Sequence, residues 1–319
     1  MSAAARRAGA GDVPATLILG CGYGGLRIAA ALAADGEVVG TRRGPDGLAE
    51  LEAAGVRGLR FEAGAGAGAQ DDPGDALRGV LSRTTHLVSS VAPARAPPLD
   101  DPTLDAVAGW LGHGLLPRLE WIGYLSTIGV YGDRGGARVD EDSPCASAQP
   151  RSIARREAEL GWTALGARAG TPVAVLRLSG IYGPGRNAVR DALAGRARML
   201  VRPGQVFNRV HVEDLARATA LAARARFDGV LNVTDDEPAA PEDVIRHAHA
   251  LVGRAPPPAM DFETADLSPM ARSFWAETKR VDNARSKRAL GLDYRYPDYR
   301  AGLASLVAGE LAAAARAAP

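Results

Sequence analysis

The residues with chemical potential begin at position 20. Gly20-Cys21-Gly22-Tyr23-Gly24-Gly25 fits Gly-x-Gly-x-x-Gly and directly follows a short apolar run, Ala15-Thr16-Leu17-Ile18-Leu19. Between a strand and a helix, the glycines of that pattern have distinct tasks. Gly20 permits a tight turn, Gly22 lets the backbone come close to a pyrophosphate, and Gly25 lets the helix pack against the strand. The phosphates then meet unpaired N–H groups at the helix N-terminus. The spacing therefore predicts dinucleotide binding, with Gly20, Gly22, Tyr23, Gly24 and Gly25 at the cofactor. The end of the next strand selects between cofactors. An NAD site usually places Asp or Glu there for the ribose 2′-hydroxyl. Here the residues are Thr41-Arg42-Arg43. No carboxylate stands there to repel a 2′-phosphate, and either guanidinium could fork onto one, so NADP(H) is expected ahead of NAD. Cys21 lies inside the turn, where a helix N-terminus can lower a thiol pKa; a small residue that simply fits is the stronger expectation.

The elements that must hold these groups alternate along the 319 residues. Strand signals at Ala15–Leu19, Glu37–Gly40, Arg57–Phe61, His86–Val91, Glu120–Leu125, Val173–Leu178 and Val230–Val233 are interleaved with helix signals. The helices are expected at 26–34, 46–54, 75–81, 102–116, 151–167, 188–194, 213–225 and 241–251. Asp101 is the expected N-cap of the fourth, with Pro102 in the first helical position. Such alternation means βαβ crossovers and a parallel sheet covered on both faces. The fold class is therefore α/β, a Rossmann-type doubly wound parallel sheet, with a small C-terminal α/β lobe from about residues 180–210 and 235–295. Residues 1–13 read as a loose tail and 14–319 as a single domain. The Ala/Gly tract at 63–69 reads as a flexible loop, and the proline-rich stretch 253–269 as a surface wrap.

Composition removes several function classes. The chain carries 38 Lys+Arg against 37 Asp+Glu, a net charge of +1, which argues against a nucleic-acid binder. Only two of the basic residues are lysines, Lys279 and Lys287, so no mechanism can use a lysine from the first 278 residues. Cys21 and Cys145 form neither a disulfide framework nor a metal spacing. His247 and His249 are two apart and fall on different sides of a helix, so no metal is expected. No apolar run reaches the ~18 residues a membrane span needs. A cytoplasmic protein acting on a small molecule is expected, and a homodimer is compatible.

The fifth strand leads into Tyr124-Leu125-Ser126-Thr127-Ile128-Gly129-Val130-Tyr131-Gly132. This resembles the Ser/Thr-x-x-Val-Tyr-Gly segment of the extended short-chain dehydrogenase/reductases, the NAD-dependent epimerase/dehydratase group. Val139-Asp140-Glu141-Asp142-Ser143-Pro144, Arg177-Leu178-Ser179-Gly180-Ile181-Tyr182-Gly183-Pro184 and His211-Val212-Glu213-Asp214-Leu215-Ala216 resemble further landmarks of that group. The resemblance covers about residues 15 to 310. It implies that Thr127 is the first hydroxyl of the proton relay, beside Ser126, and that Pro184 flanks the nicotinamide. It also implies a Tyr-x-x-x-Lys pair at the start of the next long helix. At those places this sequence has Arg151 and Arg155, and no tyrosine occurs from Gly132 to Ile181. Arg155 could still hold ribose hydroxyls. Arg151 cannot act as a proton donor near neutral pH, because its pKa lies above about 12. The pattern resembles the atypical branch of the superfamily.

Tyr124, Tyr131, Tyr182 and His211 are the substitute proton donors to consider. Tyr131, Arg177, Tyr182 and Arg209 are the candidate substrate contacts, and Ser179 a polar liner. Asp214 is expected to cap or anchor the helix that follows, and the four tryptophans to lie in the core. The activity expected is an atypical NADP(H)-dependent oxidoreductase on a small carbonyl or hydroxyl substrate. Two alternatives stand beside it: a non-catalytic dinucleotide-binding sensor or interaction protein, and a non-redox epimerase or lyase of the same fold.

Overall fold

Alternating residues of the first strand face opposite helical layers, which fixes the doubly wound plan. Leu17 and Leu19 pack with Leu77, Leu81, Val107 and Trp110 on one face, while Ile18 packs with Ile28, Ala29 and Leu215 on the other. A computed structural model describes residues 13–64, 74–94 and 100–317. In chain order the elements are β1 (Ala15–Leu19), α1 (Tyr23–Leu32), β2 (Glu37–Arg42), α2 (Pro45–Ala53), β3 (Arg57–Arg60), α3 (Gly74–Leu81), β4 (His86–Ser89), α4 (Pro102–Gly112), β5 (Trp121–Thr127), β6 (Arg138–Val139), α5 (Pro150–Ala169) and β7 (Val173–Leu178). There follow β8 (Gly180–Tyr182), α6 (Ala188–Leu193), β9 (Met199–Val201), β10 (Arg209–His211), α7 (Val212–Ala225), β11 (Gly229–Val233), α8 (Pro241–Leu251), β12 (Ala259–Asp261), α9 (Pro269–Trp275), β13 (Arg280–Val281), α10 (Ala284–Leu290) and α11 (Tyr299–Ala317).

Seven strands form one sheet in the order β3-β2-β1-β4-β5-β7-β11, every neighbouring pair parallel. The order reverses between β1 and β4, so the crevice beyond their carboxyl ends is where such a sheet takes a ligand. Trp110, Trp121 and Trp162 are fully buried and Trp275 nearly so; burying rings of that size supplies much of the core's apolar stabilisation. Asp101 caps α4 as expected: its Oδ1 accepts from the backbone N–H of Thr103 (3.0 Å) and Leu104 (3.3 Å), and its Oδ2 from the Trp162 indole (2.9 Å). One carboxylate thus ties the start of α4 to α5.

Several expectations shift. α1 begins at Tyr23 rather than at 26, because Gly22 is already the N-cap, so Tyr23, Gly24 and Gly25 form its first turn. β5 continues two residues past 125, making Ser126 and Thr127 its last positions. Residues 253–269 do not simply wrap the surface: Ala259–Asp261 pairs with β9, and Phe262 and Ala265 are buried against Leu200 and Trp275. α11 was not anticipated; its Tyr299, Leu303 and Leu306 cover α6 and α8. The expected loose tail, up to residue 12, and most of the Ala/Gly tract lie outside the described residues.

Candidate active site

The glycine turn closes the end of β1. Gly20 has φ +74, and an added Cβ would fall 2.6 Å from Val91 Cγ2, so glycine is required there by backbone and by space. The turn is tied to β2 by Gly20 N–H donating to Thr41 Oγ1 (3.0 Å) and Cys21 N–H to the Thr41 carbonyl (2.9 Å). Thr41 therefore supports the turn rather than pointing at a ligand. At Gly25 an added Cβ would come within 3.4 Å of Ile18 Cγ2, the close helix–strand approach the motif demands. Gly22 is different. Its φ is −87, and the nearest atoms to an added Cβ would be 3.7 Å away, one of them Arg42 Nη1. Nothing within the fold requires glycine at that position. The space it leaves is where a pyrophosphate would come against the backbone, so the turn fits a dinucleotide.

Arg42 ends β2 beside that space. Its stem packs along Gly47 and its Nη2 donates to Glu50, while its Nε is buried without a hydrogen-bond partner among the described residues. Arg43 is exposed. Cys21 is fully buried, and burial pushes its thiol up to about 11. A thiol held protonated in that way is unreactive, which removes the redox-sensor reading. Across the turn, the Tyr23 hydroxyl donates to the Pro184 carbonyl (3.2 Å). This bond joins the glycine turn to the loop after β8.

At the end of β5 two adjacent hydroxyls have opposite fates. Ser126 is buried and donates to Glu159 on α5. Thr127 is half-buried; its Oγ1 accepts from the Gly129 N–H at 3.1 Å, and its own proton has no acceptor among the described residues. Arg155 reaches back from α5, with Nη1 donating to the Leu125 carbonyl (2.8 Å) and the Tyr124 hydroxyl (3.2 Å). Arg151, one turn earlier, donates to Ser273 Oγ (2.8 Å) and lies over the Phe274 ring at 4.1 Å.

Two of the candidate substrate contacts are enclosed. Arg177 is buried and forks onto Glu159, Nη2 to Oε2 at 2.8 Å and Nε to Oε1 at 3.1 Å. Its Nη1 donates to the Tyr131 hydroxyl (3.0 Å) and the Glu141 carbonyl (3.3 Å), and Tyr131 donates onward to Asn232 Oδ1 (2.7 Å). Asn232 N–H in turn donates to Glu141 Oε1 (2.9 Å). Burial pushes the Tyr131 phenol up to about 12. Arg177 and Tyr131 thus brace β5, β7, β11 and α5 from inside, because an interior charge must be paired and hydrogen-bonded. Glu159, Glu141 and Asn232, which complete the cluster, are not among the site residues that the sequence predicts. The available signal was Arg177 itself, a charge within the apolar run Val173–Leu178, which demands a buried partner.

Tyr182 is buried against α11, with its hydroxyl donating to the Asp298 carbonyl (3.4 Å), and burial raises its pKa. His211 caps α7, its Nδ1 accepting from the Glu213 N–H (3.2 Å), and burial pushes the imidazole down to about 4, so it is neutral. Tyr124 is fully buried and also raised. None of the four substitute donors is an exposed acid. Arg209 donates to the Phe207 (2.9 Å) and Ala239 (3.2 Å) carbonyls, near buried Asp235, whose carboxyl desolvation pushes up to about 8. Asp214 does not cap α7, a task His211 performs; it accepts from the N–H groups of Arg295 and Tyr296 (both 2.8 Å), anchoring the segment before α11. Among the described residues no group of three or more His, Cys, Asp or Glu is placed to hold a metal ion, and no helix is long and apolar enough to cross a membrane.

Known proteins resemble this arrangement. The model of the NAD dependent epimerase/dehydratase family matches residues 119–233. The solved structure of a functionally unknown conserved protein from Silicibacter pomeroyi is 40% identical, with a TM-score of 0.79, and the match covers 93% of this chain and 99% of that one. Protein YeeZ of Escherichia coli K12 is 29% identical over 283 residues, which is 88% of this chain and 96% of YeeZ. A 3-diazoavenalumate denitrifying reductase of Streptomyces is 31% identical over 176 residues, 52% of this chain and 55% of that protein.

Proposed function

We propose that this protein is an NADP(H)-binding oxidoreductase of the NAD dependent epimerase/dehydratase type, whose family model matches residues 119–233, working on a small carbonyl or hydroxyl compound without that family's Tyr and Lys. The observation that carries this reading is the space at Gly22 beside the unpartnered Nε of Arg42. Gly20, Gly22, Tyr23, Gly24, Gly25 and Pro184 would frame the cofactor, and Arg42 with Arg43 would take a 2′-phosphate. Arg155, fixed at the end of β5, keeps Nε and Nη2 for ribose hydroxyls. A bound nicotinamide supplies or accepts the hydride.

Thr127 then faces the reacting oxygen. Its free O–H donates to that oxygen as negative charge builds there, an electrostatic contribution of the oxyanion-hole kind. With Arg151 unable to give up a proton and the tyrosines and His211 enclosed, the oxygen takes its proton from water. Segments 180–210 and 235–295 form the substrate lobe in this reading. A homodimer through α5 is proposed as well, because Ile153 and Leu160, seven residues apart on one face, are 37% and 54% exposed.

The test is single-turnover oxidation of NADPH against a panel of carbonyl compounds and sugar nucleotides. Turnover should occur, and Thr127→Ala should slow it about 100-fold; an unchanged rate removes Thr127 from the mechanism. The missing proton donor also favours a second reading, a cofactor-binding sensor. Tight NADPH binding with no turnover on any substrate, together with a partner interaction that changes on binding, would select it.

A further inference from the structure

Arg151 is half-buried at the start of α5, and its charge is unmatched. The surrounding carboxylates are already committed: Glu159 to Arg177 (2.8 Å) and Glu277 to Lys279 (2.8 Å). Among the described residues no carboxylate lies within ion-pair distance of Arg151, whose recorded contacts are Ser273 and the Phe274 ring. Its single hydrogen bond uses one Nη1 proton on Ser273 and leaves the rest of the guanidinium fork. It also lies in the first turn of α5, where the helix dipole opposes a cation, so the fold itself gains nothing electrostatically from a guanidinium there.

The position is close to the proposed reacting centre. An added Cβ on Gly129 would lie 3.0 Å from Ser152 Oγ and 3.3 Å from Thr127 Oγ1, so the residue next to Arg151 and the relay hydroxyl converge on one glycine. Beside Arg151 lies Phe274, a residue 54% exposed although its ring meets the guanidinium at 4.1 Å on one side. An exposed aromatic ring backed by a cation is a platform for a planar group.

We infer that the substrate is a planar, unsaturated or aromatic compound bearing an oxyanion, a carboxylate or a phosphate, with the anion on Arg151 and the planar part against Phe274. This rests on the proposed function, which puts the reacting oxygen at Thr127. It also accounts for the arginine in place of the tyrosine: the residue binds the substrate's charge and leaves protonation to water.

The full-length protein, saturated with NADP, is titrated calorimetrically with benzoate, phenyl phosphate and neutral benzamide. At least one anion should bind about 10-fold or more tighter than benzamide. Benzoate alone identifies a carboxylate site, phenyl phosphate alone a phosphate site. Arg151→Gln should lower that affinity about 10-fold while NADP binding is unchanged, which also shows that the variant is folded. Phe274→Ala should weaken benzoate several-fold. Benzamide binding as well as the anions, no binding of either anion, or full anion affinity in Arg151→Gln each overturns the inference. Anion binding without any NADP binding would instead sink the cofactor reading and leave the anion site standing.

Discussion

The glycine turn at the end of β1 and the polar cluster at the end of β5 and β7 lie along the same edge of one sheet, yet they are built in opposite ways. The cluster is rich in residue types that do chemistry: Ser126, Glu159, Arg177, Tyr131, Asn232 and Glu141. Every one of them is buried and hydrogen-bonded to another. The turn contains little but glycine, and needs go unmet at it and near it: space at Gly22, an orphaned Nε on Arg42 and, two strands away, the unused proton of Thr127. Residue type alone points to the first region as the site. Unsatisfied valence and room point to the second.

The contrast can be broken most forcefully from the closed side. Arg177→Met leaves Glu159 as a buried, unpaired charge, so unfolding free energy in urea should fall by about 3–5 kcal/mol. The NADPH affinity of the protein that remains folded should not change. If stability holds and binding drops, Arg177 belongs to the site after all. On the open side, Gly22→Val should leave the melting temperature nearly untouched, since the nearest atoms are 3.7 Å from its Cβ, and weaken NADPH about 100-fold. Gly20→Val, at φ +74 and 2.6 Å from Val91, should weaken NADPH too but, unlike Gly22→Val, should also cost about 1–3 kcal/mol of stability. The smallest effect expected is selectivity: Arg42→Ser with Arg43→Ser should lower NADPH affinity about 10-fold and leave NADH where it was.

The legible part of the sequence was the local part. The strand, turn and helix at 15–32 are contiguous, and every requirement of the turn is expressed within six residues. The sheet followed from alternation that repeats seven times. What could not be read depends on partners distant in sequence. β8 pairs with β10 and β9 with β12, three-residue strands too short to carry a periodic signal, and β9 lies some 60 residues from its partner. α11 is alanine-rich, with no clear apolar stripe, and its burial is set by α6 and α8. The Arg177–Glu159 fork joins a strand to a helix 18 residues away. A guanidinium looks the same in a sequence whether it waits for a substrate, as proposed for Arg151, or braces a core, as Arg177 does.

Gly22, Arg42 and Arg43 together are proposed to make a phosphate-accepting dinucleotide site at the glycine turn. Calorimetric titration of the intact protein with NADPH and NADH side by side tests it most directly. One site per chain is expected, with NADPH bound at least about 10-fold tighter than NADH. Equal or tighter binding of NADH would contradict the roles given to Arg42 and Arg43, and no binding of either nucleotide would contradict the site itself.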